Sequence, residues 1–80
     1  MHEAKLCLSL LDLAERALRA EGGQRIHALS VEVGTLSGVA PEALEAAFPI
    51  CARGTPAHGA RLRIERTEGR ELLLRDMEVS

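Results

Sequence analysis

Apolar positions in the first twenty residues return with a helical period. Leu6, Leu10, Leu13 and Ala17 stand at spacings of four, three and four, with Cys7, Leu11, Ala14 and Leu18 beside them. This pattern predicts a helix with one broad apolar face. Asp12, Glu15, Arg16 and Arg19 fall on the other side, and Leu8 breaks the pattern by projecting with them. Gly22-Gly23 then supplies a residue able to take the left-handed conformation that ends a helix. From Arg25 the period changes to two. His27, Leu29, Val31 and Val33 point one way and Ala28, Ser30 and Glu32 the other, which predicts a strand with one buried face and His27 at its rim.

Gly34, Ser37 and Gly38 mark a loop, after which Pro41 suits the first position of a second helix and Glu42 its positive end. Leu44, Ala47, Phe48 and Cys51 carry that helix's apolar face. Pro49 lacks the N–H that would bond the carbonyl of Glu45, so a kink or looser geometry is expected there, with the apolar phase carried through to Cys51. Gly54 closes the element. Leu62 and Ile64 alternate with charged residues in a second strand, and Leu72 and Leu74 open a third. The next apolar pair, Met77 and Val79, is out of phase by one, which predicts a bulge at Arg75-Asp76. The expected fold is α/β (α+β) in the order α-β-α-β-β, with two helices on one face of a small three-stranded mixed sheet. The first two strands read as a crossover unit, and Arg66 to Arg70 as the turn of a hairpin.

Composition narrows the function. Eighty residues make one small domain, and with Phe48 as the only aromatic its core must be Leu, Val, Ile and Ala. Ten basic and twelve acidic residues are interspersed, giving a formal charge of -2 and no basic stripe for nucleic acid. No apolar run is long enough to cross a bilayer, so the expected location is cytoplasmic, without membrane partners. Cys7 and Cys51 both fall in apolar helical patterns and read as reduced core thiols, a disulfide being the minority alternative. Phosphate-binding, zinc-protease, hydrolase and paired CxxC signatures are absent. No catalytic residue is assigned, and the chain is not expected to be an enzyme.

The start of the chain carries candidate chemistry. A histidine next to the terminal residue places an amine, one backbone amide and an imidazole along a short path. A metal that displaces the amide proton closes adjoining chelate rings, and Ni(II) and Cu(II) suit such tetragonal nitrogen geometry. At the second position this chelate leaves one coordination place open, which suits a metal meant to be passed on. The plainer reading is that His2 is a polar terminal residue and Glu3 stabilises the helix start. His27 lacks a second ligand at useful local spacing and reads as a rim residue.

Met-His-Glu at 1–3, SLL at 9–11, VEVGTLSGVAPEAL at 31–44, ARGTPAHGARLRIE at 52–65 and GRELLLRDMEV at 69–79 resemble the HypA/HybF family of nickel-incorporation proteins for hydrogenase maturation. The resemblance runs nearly end to end. It implies a nickel site at Met1 (amine), His2 (imidazole and amide) and Glu3 (backbone amide or support). It also implies docking with a nickel-binding GTPase and delivery to the large subunit of a nickel-iron hydrogenase, or in some organisms service to urease.

One departure is large. Family members carry a zinc module, usually two CxxC pairs, between the strand that here ends near Glu65 and the one that begins near Glu71. In this chain RIERTEGREL joins those strands directly, so no structural zinc is expected. Leu8 and Leu73 occupy positions commonly polar in the family. A homodimer burying Leu73 is one expectation, and exposed leucines on a monomer the other. His58, in TPAHG, reads as a turn residue or as an additional metal donor in a dimer or loop-closed state. The expected function is that of a nickel metallochaperone. The alternative is an interaction protein of the same fold that no longer delivers nickel.

Overall fold

A computed structural model describes residues 2–80, with side chains from Glu3 onward. Five elements follow in the expected order: α1 (His2–Ala20), β1 (Ile26–Gly34), α2 (Pro41–Cys51), β2 (Arg61–Thr67) and β3 (Leu72–Val79). Gly22, at φ 71°, ends α1 with the left-handed turn that the Gly22-Gly23 pair promised, and the Gly23 N–H bonds the Leu18 carbonyl at 3.0 Å. Four residues of α1 at spacings of four, three and four, Cys7, Leu11, Ala14 and Leu18, form the centre of its buried stripe, with Leu10 at its edge. Leu13 departs from the expected face and is 52% exposed. At about 100° per residue it projects roughly 120° from Cys7, beyond the arc that the sheet can cover. Leu8 is exposed, as its phase requires.

The sheet order is β2-β1-β3, with β2 parallel and β3 antiparallel to the central strand. β1 and β2 are therefore neighbours joined through α2, as a crossover unit requires. The expected hairpin between β2 and β3 does not form. Both strands instead pair with β1, the most apolar of the three, whose inward residues Ile26, Leu29, Val31 and Val33 are almost fully buried. Leu44 and Phe48 of α2 and Ala52 and Ala57 after it complete the core, and Leu62, Ile64, Leu72, Leu74, Met77 and Val79 close its sides. α2 runs through Pro49 to Cys51, which packs against the core in phase with Leu44 and Phe48.

Two bulges adjust the register. Ser30 and Val31 pair with Asp76 and Leu74, so Arg75 is the extra residue, at the expected place. A second lies in β1, where Ile26 and Ala28 pair with Val79 and Glu78 and His27 is the extra residue. This bulge corrects the reading of the first strand. Ile26, not His27, begins the buried row, and His27 is exposed with Nε2 2.8 Å from Ser80 Oγ. On the outer face Ala28 is buried although no helix covers it. Its neighbours across the ladders, Arg61 and Glu78, meet over it at 3.5 Å, with Arg63 on the same carboxylate at 2.9 Å. Leu73 lies opposite Glu32, half-buried and outside the core cluster.

Because β2 and β3 flank β1, the chain from Thr67 to Leu72 must pass over the end of the central strand. The gap is two strand spacings, about 9.6 Å, within reach of the four linking residues, which span about 13 Å when extended. The Gly34 N–H bonds the Glu71 carbonyl at 2.9 Å, the Thr35 N–H that of Thr67 at 2.8 Å and the Leu36 N–H that of Gly69 at 3.0 Å. The backbones approach so closely that a Cβ on Gly34 would collide with the Gly69 carbonyl. Gly34 is thus a requirement of the crossing.

Gly34→Ala should lower the unfolding free energy by about 1–3 kcal/mol in urea titration, as overpacking does, with the largest NMR shift changes at Gly69 and Arg70. Because the core is apolar and continuous, thermal unfolding should be one cooperative transition. Its midpoint should not move when a chelator is added; a chelator-dependent midpoint would show that the core needs metal.

Candidate metal centre

The candidate ligands stand in sequence at the start of α1. Met1 lies outside the described residues, as does the side chain of His2, whose backbone is the first helical residue. A helix that starts here leaves its first N–H groups without intrahelical acceptors, and Glu3 places an acid where the helix end is positive. The Glu3 side chain is half-buried at most. Its carboxyl is held below the usual carboxylate range, chiefly by the terminal ammonium group, then by the backbone N–H groups of Glu3 itself and of Ala40.

The Ala40 contact sets the surroundings of this turn. Ala40 is the N-cap of α2 and has no side-chain oxygen to cap it, so Glu3 brings negative charge to that helix end as well. Ser37 Oγ accepts from the Val39 N–H at 3.1 Å and shapes the loop that delivers Ala40. In the first turn of α2, Glu42 accepts a hydrogen bond from Arg66 at 2.7 Å, and that guanidinium holds the Glu42 carboxyl below its ordinary range. Arg66 leads into the 67–72 crossing, which the loop at 34–36 also grips. The start of α1, the 34–40 loop, the start of α2 and the β2–β3 connection are therefore linked through named contacts. Apart from the Ser37–Val39 bond, these contacts were not visible as local motifs, because they join residues distant in sequence.

The other candidates stand apart from this turn. His58 is exposed in the turn after α2, where its carbonyl accepts from Arg25 Nη2 at 3.0 Å and its N–H bonds the Thr55 carbonyl at 3.1 Å. Among the described residues no group of three or more His, Cys, Asp or Glu side chains is placed to hold a metal ion. Cys7 and Cys51, remote in sequence, have thiols close enough to interact. Sequence reasoning placed both on apolar helix faces and kept a disulfide between them as the minority alternative. No described helix is long and apolar enough to cross a membrane.

Comparison with known proteins identifies the family and the fold. Residues 1–79 match a family described as hydrogenase/urease nickel incorporation, metallochaperone, hypA. The hydrogenase maturation factor HypA of Deinococcus radiodurans is 58% identical over 69 residues, covering 86% of this chain and 58% of that protein. That of Geobacter metallireducens is 44% identical over 70 residues, covering 88% and 61%. This chain therefore spans about three-fifths of the length of the curated relatives it matches. The solution structure of the Ni metallochaperone HypA from Helicobacter pylori superposes with a TM-score of 0.75 at 15% identity, covering 100% of this chain and 94% of that one, and has the same fold. With the α-β-α-β-β order, the mixed sheet and a match from the first residue to the last strand, the chain belongs to the HypA family of nickel-incorporation proteins.

Proposed function

We propose that this chain binds Ni(II) through the Met1 amine and the His2 amide and imidazole, with Glu3 in support, and passes it on during maturation of a nickel-iron hydrogenase. The observation that carries this reading is membership of a nickel-incorporation family in a chain that opens Met-His-Glu. The helix start supports it physically. The His2 N–H is among those with no intrahelical acceptor, so its proton can be displaced without breaking a bond of α1. Loss of that proton leaves the Ni(II) chelate with one net positive charge, and the Glu3 carboxylate lies on the adjacent residue. Three nitrogen donors leave one tetragonal place for a receiving ligand.

The role is binding and transfer, without a catalytic step. The expected partners are a nickel-binding GTPase and the hydrogenase large subunit, reached from the cytoplasm. A family-type zinc module needs four closely paired sulfurs, and this chain has two cysteines, both outside the 66–71 connection. Nickel is therefore the one metal assigned.

Calorimetry on protein with its native terminus tests the site. His2→Ala and a Gly-Ser extension before Met1 should each weaken nickel binding by well over tenfold, or 1.4 kcal/mol, while both keep the thermal transition of the parent. His58→Ala should leave affinity within about twofold, far below that step. If the extended protein bound nickel as tightly as the parent, the amine would not be a ligand. If the parent bound none, the non-delivering interaction protein would be the better reading.

Glu3 makes a separate, pH-dependent contribution. Its folded-state pKa is depressed, so its stabilisation of the first turn is present above the unfolded value of about 4.3 and is lost as pH falls through the lower folded value. Amide-exchange protection at the start of α1 should therefore hold to about pH 4 and fade below it. Glu3→Gln should show weaker protection at neutral pH and no such step.

A further inference from the structure

Cys7 and Cys51 are the chain's only cysteines, and both are free thiols. The packing of α1 on α2 seats Cys51 against the core cluster that contains Cys7, close enough for the two thiols to interact. Cys51, the last residue of α2, also directs its thiol at the Ala4 carbonyl, 3.9 Å away, one turn before Cys7 on α1. Cys7 is fully buried and Cys51 partly exposed. The core cluster they join is otherwise aliphatic or aromatic, including Leu10, Leu11, Leu44 and Phe48. A thiol pair in contact can hold a soft metal ion or close to a disulfide. The setting decides between them: a bis-thiolate complex would leave charge in apolar surroundings with no third donor among the described residues, whereas a disulfide is neutral and needs none.

We infer that Cys7 and Cys51 form a modification site, a half-buried thiol pair that a small-molecule disulfide such as glutathione disulfide converts into an intramolecular bridge between α1 and α2. Cys51 is the entry point because reagent can reach it. Its thiolate attacks one reagent sulfur, forming a mixed disulfide and releasing one glutathione thiolate. Burial, and then the neighbouring Cys51 thiol, push the Cys7 thiol up to about 11, so it is a poor target for reagent in solution. Held against Cys51, it loses its proton, attacks the Cys51 sulfur and expels the second glutathione. Two protein thiols are oxidised by two electrons, one reagent disulfide is reduced to two thiols, and the two cysteine protons pass to the released glutathione. The bridge would clamp the second turn of α1 to the end of α2, close behind His2 and Glu3, and does not depend on the nickel reading.

Incubation of the whole protein with excess glutathione disulfide at mildly alkaline pH, followed by mass spectrometry and peptide mapping, tests this. The parent should lose two hydrogens, yield a Cys7–Cys51 peptide pair, stay a single chain on a non-reducing gel and gain about 10 °C or more in Tm, as closing a long loop implies. Reductant should reverse all of this. C7S should accumulate one glutathione on Cys51, and C51S should remain unmodified while folded. Peptide mapping of the parent decides the matter even if a variant folds poorly. A parent that stops at the Cys51 adduct, or links only between chains, would overturn the proposal.

Discussion

Burial of the inward row of β1 is the constraint from which the rest of the structure follows. Ile26, Leu29, Val31 and Val33 are each at most 2% exposed, and β1 is the strand to which both others are hydrogen-bonded. A strand with two paired sides keeps its backbone polar groups satisfied away from water. The less apolar β2 and β3, whose outer residues are largely charged, take the edges, where charge also discourages further strand pairing. Both helices then cover one face of the sheet. With a single aromatic side chain in the chain, this packing depends on aliphatic residues meeting at close range, so changes of one or two methyl groups along the row should be felt.

The central position of β1 also governs the end of the molecule where the candidate metal site begins. A chain leaving β2 must cross β1 to reach β3, and it does so over Gly34, in contact with the loop that leads to Ala40. Ala40 in turn touches Glu3. The Arg66–Glu42 pair fastens the crossing to α2. As an exposed ion pair it is screened by solvent and adds little stability, so its part is to orient these segments. Within the described residues the first turn of α1 is therefore supported by tertiary contacts at Glu3 and Ala4. That answers why an acid stands in the third position: it serves two helix ends at once.

Much of this was legible in the chain. The helical period of residues 6–18, the switch to period two after Arg25, Pro41 at a helix start and the slipped phase at Arg75 all act within a few residues, and each appears where local stereochemistry puts it. The Met-His-Glu start, together with motifs spread to residue 79, was enough to indicate the family. Tertiary structure alone decided which strand lies in the middle, because a short link between β2 and β3 fits a hairpin as well as a crossing, and only competition for β1 selects one. His27 turned outward because a bulge depends on the register with Val79 and Glu78, some fifty residues away. Leu13 stayed exposed because the width of the opposing layer, not the helix's own pattern, sets how wide an arc is buried. The two thiols met for the same reason: periodicity assigns each to an apolar face, but the angle at which α1 and α2 pack determines which residues on those faces touch.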